Sequence, residues 1–565
     1  MKLAFCTALL TGSSCVARAL DYDVLVYGAS SAGVAAAITA SATGLRVALV
    51  EPLAVPGGML SAGGLYLQDQ LQAEYSRFFV SGVARRWAER VKVAYNTSED
   101  VLTPDAYVAQ AAVDSLLSSQ PSIAVLTGCA LVGATRTGGA LTAVALDCRP
   151  APLTAHTYID ASYAGDLLVA AGVPHAVGRE SSAQYGESLA GVLGLGGGDG
   201  EDAFPWPVPA SAPGGGLLPG VSPAALPPRG AADGGLMAFG HRACLTTDAA
   251  TRIPFPAPPG YNRSDHALLQ EVVAAAAAAG RALALADFVG LIPYSPAVAR
   301  AGRSKFMLCC GGFPVNGDAV TLNAGYVGGS PAAVRAAVAA HTRYLLGALH
   351  YLASDAAVPQ GMRADVGRYG LCGDEWVHAQ PVPHWPPQLY VREGARLVND
   401  GVLTQATLVS PRGKADGIAV GAWYFDKHVV TRVADGAGNA ANEGHFRAST
   451  AGAGAGAGGG GKWCWQRSDA CRNATGEWYD VPLGALLPRR GDARNLVVPV
   501  ALAASGVAFS SARIESMLMG TGAAAGVVAR LAVLGNLAVQ DVGVGAVQGV
   551  LVGEVGAEIH GPPRL

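Results

Sequence analysis

The chain has 565 residues, enough for about two to four domains, and carries 39 Lys and Arg against 42 Asp and Glu, a formal net charge of −3. That balance supplies no basic field for nucleic acid, and the mean hydropathy of +0.30 comes from Ala, Gly and Val rather than from long apolar runs. The two most membrane-like stretches, 272–292 and 496–533, are broken by Arg281 and Asp287 and by Arg513, Glu515 and Arg530, so no integral membrane segment is expected.

The first residues read as a targeting segment: Lys2, the apolar run LAFCTALLTGSSCV, then Ala17-Arg18-Ala19 as a small-x-small cleavage pattern. Residues 1–19 are therefore expected to be a signal peptide, with the mature chain secreted or in the secretory lumen; a transit peptide to an organelle is the alternative. Sequons at Asn96, Asn262 and Asn473 fit a secreted glycoprotein. Of the ten cysteines, Cys6 and Cys15 would leave with the signal, and Cys464 and Cys471 flank a loop they would close under oxidising conditions. The adjacent Cys309 and Cys310 are expected as buried thiols. With no C-x-x-C pair or histidine cluster, no metal site is expected.

Residues 22–51 read as one strand–turn–helix–strand unit, YDVLVYGASSAGVAAAITASATGLRVALVE. Gly28 permits the tight turn, Gly33 lets helix and strand pack closely, and the helix N-terminus offers free N–H groups to a pyrophosphate. Glu51, at the end of the second strand, is placed to accept hydrogen bonds from a ribose diol. Ser30 fills the middle position of the G-x-G-x-x-G pattern; it is small, and its hydroxyl is a donor. The unit alone leaves FAD and NAD(P) open.

Next comes a second glycine-rich passage, Pro56 to Gly64, read either as backbone brought close to something flat or charged or as a surface loop. Residues 78–95 read as an amphipathic helix with a basic, solvated face of Arg85, Arg86, Arg90 and Lys92. Residues 123–160 read as β-rich, ending on Asp160 and Ala161. The Gly- and Pro-rich 195–236 reads as a long loop, 265–286 and 331–353 as alanine-rich helices, and 435–461 as a flexible Gly-rich insertion. NLVVPVAL reads as a strand and 511–533 as a helix containing Gly520, Gly522 and Gly526, each of which costs about 1 kcal/mol against Ala in a helix. Close approach of a ligand or of another backbone is the expected compensation. No second dinucleotide fingerprint appears between 200 and 480, and Gly543 to Gly549 reads as tail.

These segments together resemble the FAD-dependent oxidoreductase family whose members are often labelled xanthan lyase-like, built on a glutathione-reductase-type FAD domain. The resemblance rests on DVLVYGASSAGVAAAI, GGMLSAGG, YIDASYAGDLLVAAGV, GRESSAQYGESLAG, WPPQLYVREGARLV, GAWYFDKH and NLVVPVALAASGVAFSSARIESMLMGTGAAAG. It implies an α/β fold in which a Rossmann-like FAD-binding domain, 20–195 and 481–540, is interleaved with a mixed α+β substrate domain, 196–480, followed by a tail, 541–565. It implies FAD as cofactor, with Gly28, Ser30 and Gly33 at the pyrophosphate, Glu51 at the ribose and Gly57, Gly58 and Met59 approaching the flavin. Asp160 and Ala161 would belong to a second FAD-contacting strand, and Gly522 and Gly526 would lie against the isoalloxazine.

Three positions depart from the family pattern: Gly506 where relatives carry a histidine, Lys305 to Cys310 where relatives carry Lys-x-Asp-x-Asn-Asn, and Ala523 for a usual glutamine. With Gly506 unable to move a proton, the candidate catalytic residues are His428 with Asp426, and Arg513, which with Glu515 would bind an acidic substrate. A purely structural role for His428 stays open, and Arg392 with Glu393 reads as an ion pair. The expected function is FAD-dependent oxidation of a small organic or carbohydrate-like substrate with hydride transfer to flavin. The alternatives are an FAD-binding protein with weakened or lost catalysis, or a polysaccharide-processing enzyme in which FAD is structural.

Overall fold

The computed structural model describes residues 20–68, 79–195, 203–300, 302, 304–310, 313–409, 414–448 and 478–561. The expected signal peptide at residues 1–19, the Cys464 to Cys471 loop, Asn473 and residues 449–461 of the expected Gly-rich insertion lie outside them. The β-branched strands Tyr22–Tyr27, Val47–Val50, Ile123–Leu126, Ala155–Asp160 and Leu496–Val497 form a parallel sheet. Its order runs from Leu496–Val497 through Ala155–Asp160, Tyr22–Tyr27 and Val47–Val50 to Ile123–Leu126, and Tyr27 pairs with both Val50 and Asp160. The expected α/β, Rossmann-like core is thus present. The C-terminal segment adds an edge strand only two residues long, shorter than the NLVVPVAL run suggests.

Helix Ser31–Ser41 is buried on all sides, which fits its near-uniform Ala, Val and Ile composition. Its partner is the helix Glu515–Gly535, long and apolar enough to cross a membrane but largely buried here as the core helix of the domain. Gly522 and Gly526, four apart on one face, bring the two backbones together. A Cβ at Gly522 would lie 2.2 Å from the Ala32 carbonyl oxygen, and one at Gly526 would lie 2.1 Å from Thr39 Oγ1 and 2.2 Å from the Ala36 carbonyl. Thr39 Oγ1 donates to the Ala523 carbonyl at 2.9 Å across the same interface. Gly522 and Gly526 are therefore packing residues, which corrects their expected placement against the flavin.

The second body is an antiparallel sheet in the order Val289–Pro293, Lys305–Cys310, Cys244–Thr246, Gly370–Cys372, Arg252–Ile253. Helices Ala267–Ala278 and Pro331–Ser354 contribute to its core, the former ending earlier than the alanine run predicts, where Gly280 follows at φ +72°. Between Tyr185 and Cys244 the described residues hold no helix or named strand, as the Gly/Pro composition predicts. The segment read as tail is folded: helix Val544–Val550 and the turn Leu551–Val555 bury Val547 and Leu551 in the main core. Two disulfides, Cys129–Cys148 and Cys244–Cys372, join cysteines whose pairing the sequence reading does not anticipate.

Candidate functional site

The turn after Tyr22–Tyr27 is built without room for side chains. Gly28 sits at φ +88°, where a Cβ would meet Ser162 N at 2.6 Å, and a Cβ at Gly33 would fall 1.9 Å from the Gly28 carbonyl oxygen. Ser30 caps the helix: its Oγ accepts from Gly33 N at 3.3 Å and donates to the Ala161 carbonyl at 2.6 Å. Its hydroxyl therefore ties the turn to the next strand and is not aimed at a phosphate. The neighbouring Ser31 has that role available. Its Oγ is fully buried and has no hydrogen-bond partner among the described residues, at a helix start whose first N–H groups lack intrahelical acceptors. A buried hydroxyl left in this state costs about 1–3 kcal/mol, which an anion at the helix N-terminus would recover. Nothing in the glycine fingerprint marks Ser31, which stands one place beyond its middle position.

Glu51 is 4% exposed, and its two oxygens accept the N–H groups of Ala29 (2.8 Å) and Leu53 (2.9 Å). Burial pushes its pKa up to about 7 against the pull of those two bonds. Carboxylate oxygens keep further lone pairs, so acceptance from a ribose remains open to it. Gly57 N donates to the Ala29 carbonyl at 2.6 Å, and a Cβ at Gly58 would meet Tyr163 Oη at 2.6 Å. Gly57, Gly58 and Met59 thus form a buried passage against the turn, not a surface loop.

Asp160 is placed differently from expectation. Its carboxylate accepts from Ser162 N (3.0 Å), Ser162 Oγ (2.6 Å) and Leu168 N (2.7 Å), so it shapes the loop that follows its strand. Ala161 is the residue that stands against the glycine turn, through its carbonyl bond to Ser30.

Two hydrogen bonds lead from this cradle to Glu515, two residues along the chain from a second cluster. Tyr163 Oη accepts from Met59 N at 2.9 Å and donates to Glu515 at 3.1 Å, at the start of the Glu515–Gly535 helix. Two residues earlier, Arg513 donates to Asp426 Oδ2 at 2.9 Å and to Tyr390 Oη at 2.6 Å. His428 Nε2 lies 3.4 Å from the same Asp426 oxygen, and its Nδ1 lies 2.6 Å from Asp318 Oδ2. The predicted trio His428, Asp426 and Arg513 is therefore brought together. Asp318 and Tyr390 join it; Tyr390 lies in the motif WPPQLYVREGARLV, whereas Asp318 lies in none.

Arginines dominate this cluster. Arg392 donates to Asp318 Oδ1 at 2.7 Å, Arg447 lies 3.2 Å from Asp426, and the guanidinium groups of Arg392, Arg242 and Arg513 stand 4.7, 5.0 and 5.8 Å from the centre of the Tyr390 ring. Burial opposes ionisation of both carboxyls, yet Arg392 and His428 hold Asp318 far below the usual carboxylate range, and His428, Arg513 and Arg447 do the same for Asp426. For His428, burial and Arg392 lower the pKa, but Asp318 and Asp426 outweigh them and raise it above the ordinary histidine value.

The sign of the pH dependence follows. The depressed aspartates stabilise the fold above about pH 4 and lose that contribution as pH falls through their folded values. The raised histidine stabilises it below about pH 6.5 and loses that contribution as pH rises through its folded value. The difference in urea midpoint between the chain and an Asp318→Asn variant should be largest between about pH 4 and 6.5 and shrink on either side. A difference constant from pH 3 to pH 9 would contradict this electrostatic account.

Strand alternation separates a second charged cluster from the first. Lys427, between Asp426 and His428, points the other way and binds Glu393 at 2.7 Å, which also receives Arg396 at 3.0 Å. Arg392 and Glu393 are therefore not partners of each other, as the sequence reading supposed, but belong to different clusters. Gly506 lies in this second one: its N donates to Glu180 Oε2 at 2.8 Å, and a Cβ there would stand 3.1 Å from that oxygen. A side chain at 506 would start among Glu180, Glu393 and Arg396, whose nearest atoms lie 3.1, 3.5 and 3.6 Å from a Cβ there. Lys305 is likewise structural, its ammonium held by Asp105 (2.6 Å), Glu375 (2.5 Å) and Asp374 (2.9 Å).

Comparison with known proteins adds a family match, to the model described as FAD dependent oxidoreductase, over residues 23–551. No curated protein matches the chain. Among solved structures, L-proline dehydrogenase from P. horikoshii is 15% identical, with 28% of this chain and 24% of that chain covered and a TM-score of 0.17. Thioredoxin reductase from T. acidophilum is 18% identical, with 25% and 34% covered and a TM-score of 0.17. THI4 from Thermovibrio ammonificans is 16% identical, with 30% and 71% covered and a TM-score of 0.21. The chain thus spans about a quarter of the first of these structures and a third of the second.

Proposed function

The chain belongs to the FAD-dependent oxidoreductase family and FAD is its cofactor; from that premise we propose that it oxidises a small organic substrate bearing an acidic group, carbohydrate-like acids included, with hydride transfer to the flavin. FAD supplies the two-electron acceptor. Ser31 and the N–H groups at the start of the Ser31–Ser41 helix would hold its pyrophosphate, Glu51 its ribose, and the Gly57 to Met59 passage its approach to the flavin end. The observation that carries the substrate assignment is the convergence of four guanidinium groups on Tyr390 and two aspartates, an excess of positive charge suited to a carboxylate. Asp318 at Nδ1 fixes the His428 ring, and Nε2, which lies 3.4 Å from Asp426 Oδ2, is the nitrogen that would exchange Asp426 for the substrate's proton.

The test is anaerobic bleaching of the purified yellow protein by a panel of alcohols, amines and sugars, each with and without a carboxylate. Acidic members should bleach it and their neutral counterparts should not; equal bleaching by both would sink the acidic-substrate reading. A yellow protein that no member bleaches favours the second reading, a flavoprotein with lost catalysis, for which the glycine in place of a histidine at 506 speaks.

Removing the Ser31 hydroxyl separates cofactor binding from folding. Ser31→Ala should weaken FAD retention about 10-fold or more, by loss of a charge-assisted hydrogen bond, while the urea midpoint of the flavin-free chain is unchanged or rises. Equal FAD content in the two proteins after gel filtration would remove Ser31 from the pyrophosphate site. The route is read as secretory. The two disulfides and the exposed sequon residues Asn96 and Asn262 support the cleaved signal and a glycosylated, extracellular or lumenal chain.

A further inference from the structure

Cys309 and Cys310 end the strand Lys305–Cys310, in which successive side chains ordinarily point to opposite faces. Here the two Sγ atoms instead approach to 2.9 Å, within about 1 Å of the length of a sulfur–sulfur bond. Both residues are thiols, Cys309 buried and Cys310 partly exposed. The pair borders the arginine cluster: Arg242 Nη1 stands 3.9 Å from Cys310 Sγ, and one ligand atom each of Cys310, Asp318 and His428 lies within 4.8 Å of the others. A cation is poorly served by that trio, because Asp318 already receives Arg392 on one oxygen and His428 on the other.

We propose that Cys309 and Cys310 are a reversible two-electron redox pair that closes into a vicinal disulfide at the edge of the charged cluster, with a small-molecule disulfide as oxidant. The Cys310 thiolate, the more exposed of the two, attacks one sulfur of the oxidant, forms a mixed disulfide and releases one thiolate. The Cys309 thiolate then attacks Cys310 Sγ and releases the second. Two protein thiols are oxidised by two electrons, the oxidant's disulfide is reduced by two, and the two thiol protons leave with the released thiols. Arg242 favours the attacking thiolate, but the hydrogen bond that the Cys310 thiol gives to Cys309 and burial push the Cys310 pKa up, so closure should accelerate with rising pH. Adjacent Cα atoms are about 3.8 Å apart, below the usual span of a disulfide, and such strained bonds are readily reduced, which makes the closure reversible.

Trypsin places the pair on one peptide. Cleavage after Lys305 and Arg335 releases residues 306–335, which contain Cys309, Cys310 and no other cysteine. The full chain is incubated with oxidised glutathione, denatured in alkylating reagent, digested and weighed. The expected peptide is unalkylated, lighter by two hydrogen atoms than the dithiol, and takes up two alkyl groups once reduced. In a Cys309→Ser variant, glutathione should stay on Cys310 as a stable mixed disulfide. Alkylation of both cysteines in the oxidant-treated chain, or a glutathione adduct that persists in it, would overturn the proposal, and so would an adduct-free Cys309→Ser peptide.

Discussion

His428→Gln should lower the rate at which an acidic substrate reduces the bound flavin by about 10²–10⁴-fold, the usual worth of a positioned proton acceptor, without changing FAD content. Glutamine keeps the size and a donor toward Asp318 but has no group that takes a proton near neutral pH. The pH profile carries the sharper expectation. The neutral imidazole is the proton acceptor, so the rate should rise with pH, and because the neighbouring aspartates raise the His428 pKa, the limb should lie above the ordinary value of about 6.5. Asp318→Asn removes the nearer carboxylate, at 2.6 Å, and should move the limb to lower pH. It also leaves the Arg392 guanidinium buried without its ionic partner, a loss of about 3–5 kcal/mol in stability, so the profile is best recorded at low temperature. A limb that stays in place in Asp318→Asn would show that another group titrates.

The parallel sheet, the glycine turn and the buried helix were legible because each has a local signature: β-branched runs, φ-permissive glycines and an unbroken small-residue helix. The cluster at His428 was legible only in part. Asp426 and His428 lie two residues apart in one motif, at the end of the strand Phe425–Lys427, and Arg513 sits in another, so the trio could be named. Asp318 and Tyr390 are far from it in sequence and lie on loops, and only the folded chain brings their side chains to His428. Gly506 shows the opposite limit. A family comparison marks a missing histidine there, but the identity of the group that the Gly506 backbone meets, Glu180 from 326 residues away, depends on tertiary packing. Gly522 and Gly526 were rightly marked as sites of close approach, and it is the identity of the approaching group that pattern could not supply.

That distinction can be tested by Gly522→Val, which should destabilise the flavin-free chain by about 3 kcal/mol or more in urea denaturation. The added Cβ would sit 2.2 Å from the Ala32 carbonyl oxygen and 2.6 Å from Ala32 Cα, both backbone atoms in the first turn of a fully buried helix, so no side chain can swing aside. The two helices would have to part, and with them the Thr39 to Ala523 hydrogen bond. Gly545→Ala is the contrast: nothing lies within 4 Å of its Cβ position in helix Val544–Val550, so alanine there should be neutral or stabilising by up to about 1 kcal/mol. FAD loss alone would not discriminate, because displacing Ala32 also displaces Ser31. The stability of the apo chain does. A glycine whose role is to admit the flavin could be filled without harm to the flavin-free fold, so an unchanged urea midpoint in Gly522→Val would return this residue to the cofactor site. A lowered one fixes it as the contact through which the C-terminal helix positions the nucleotide-binding turn.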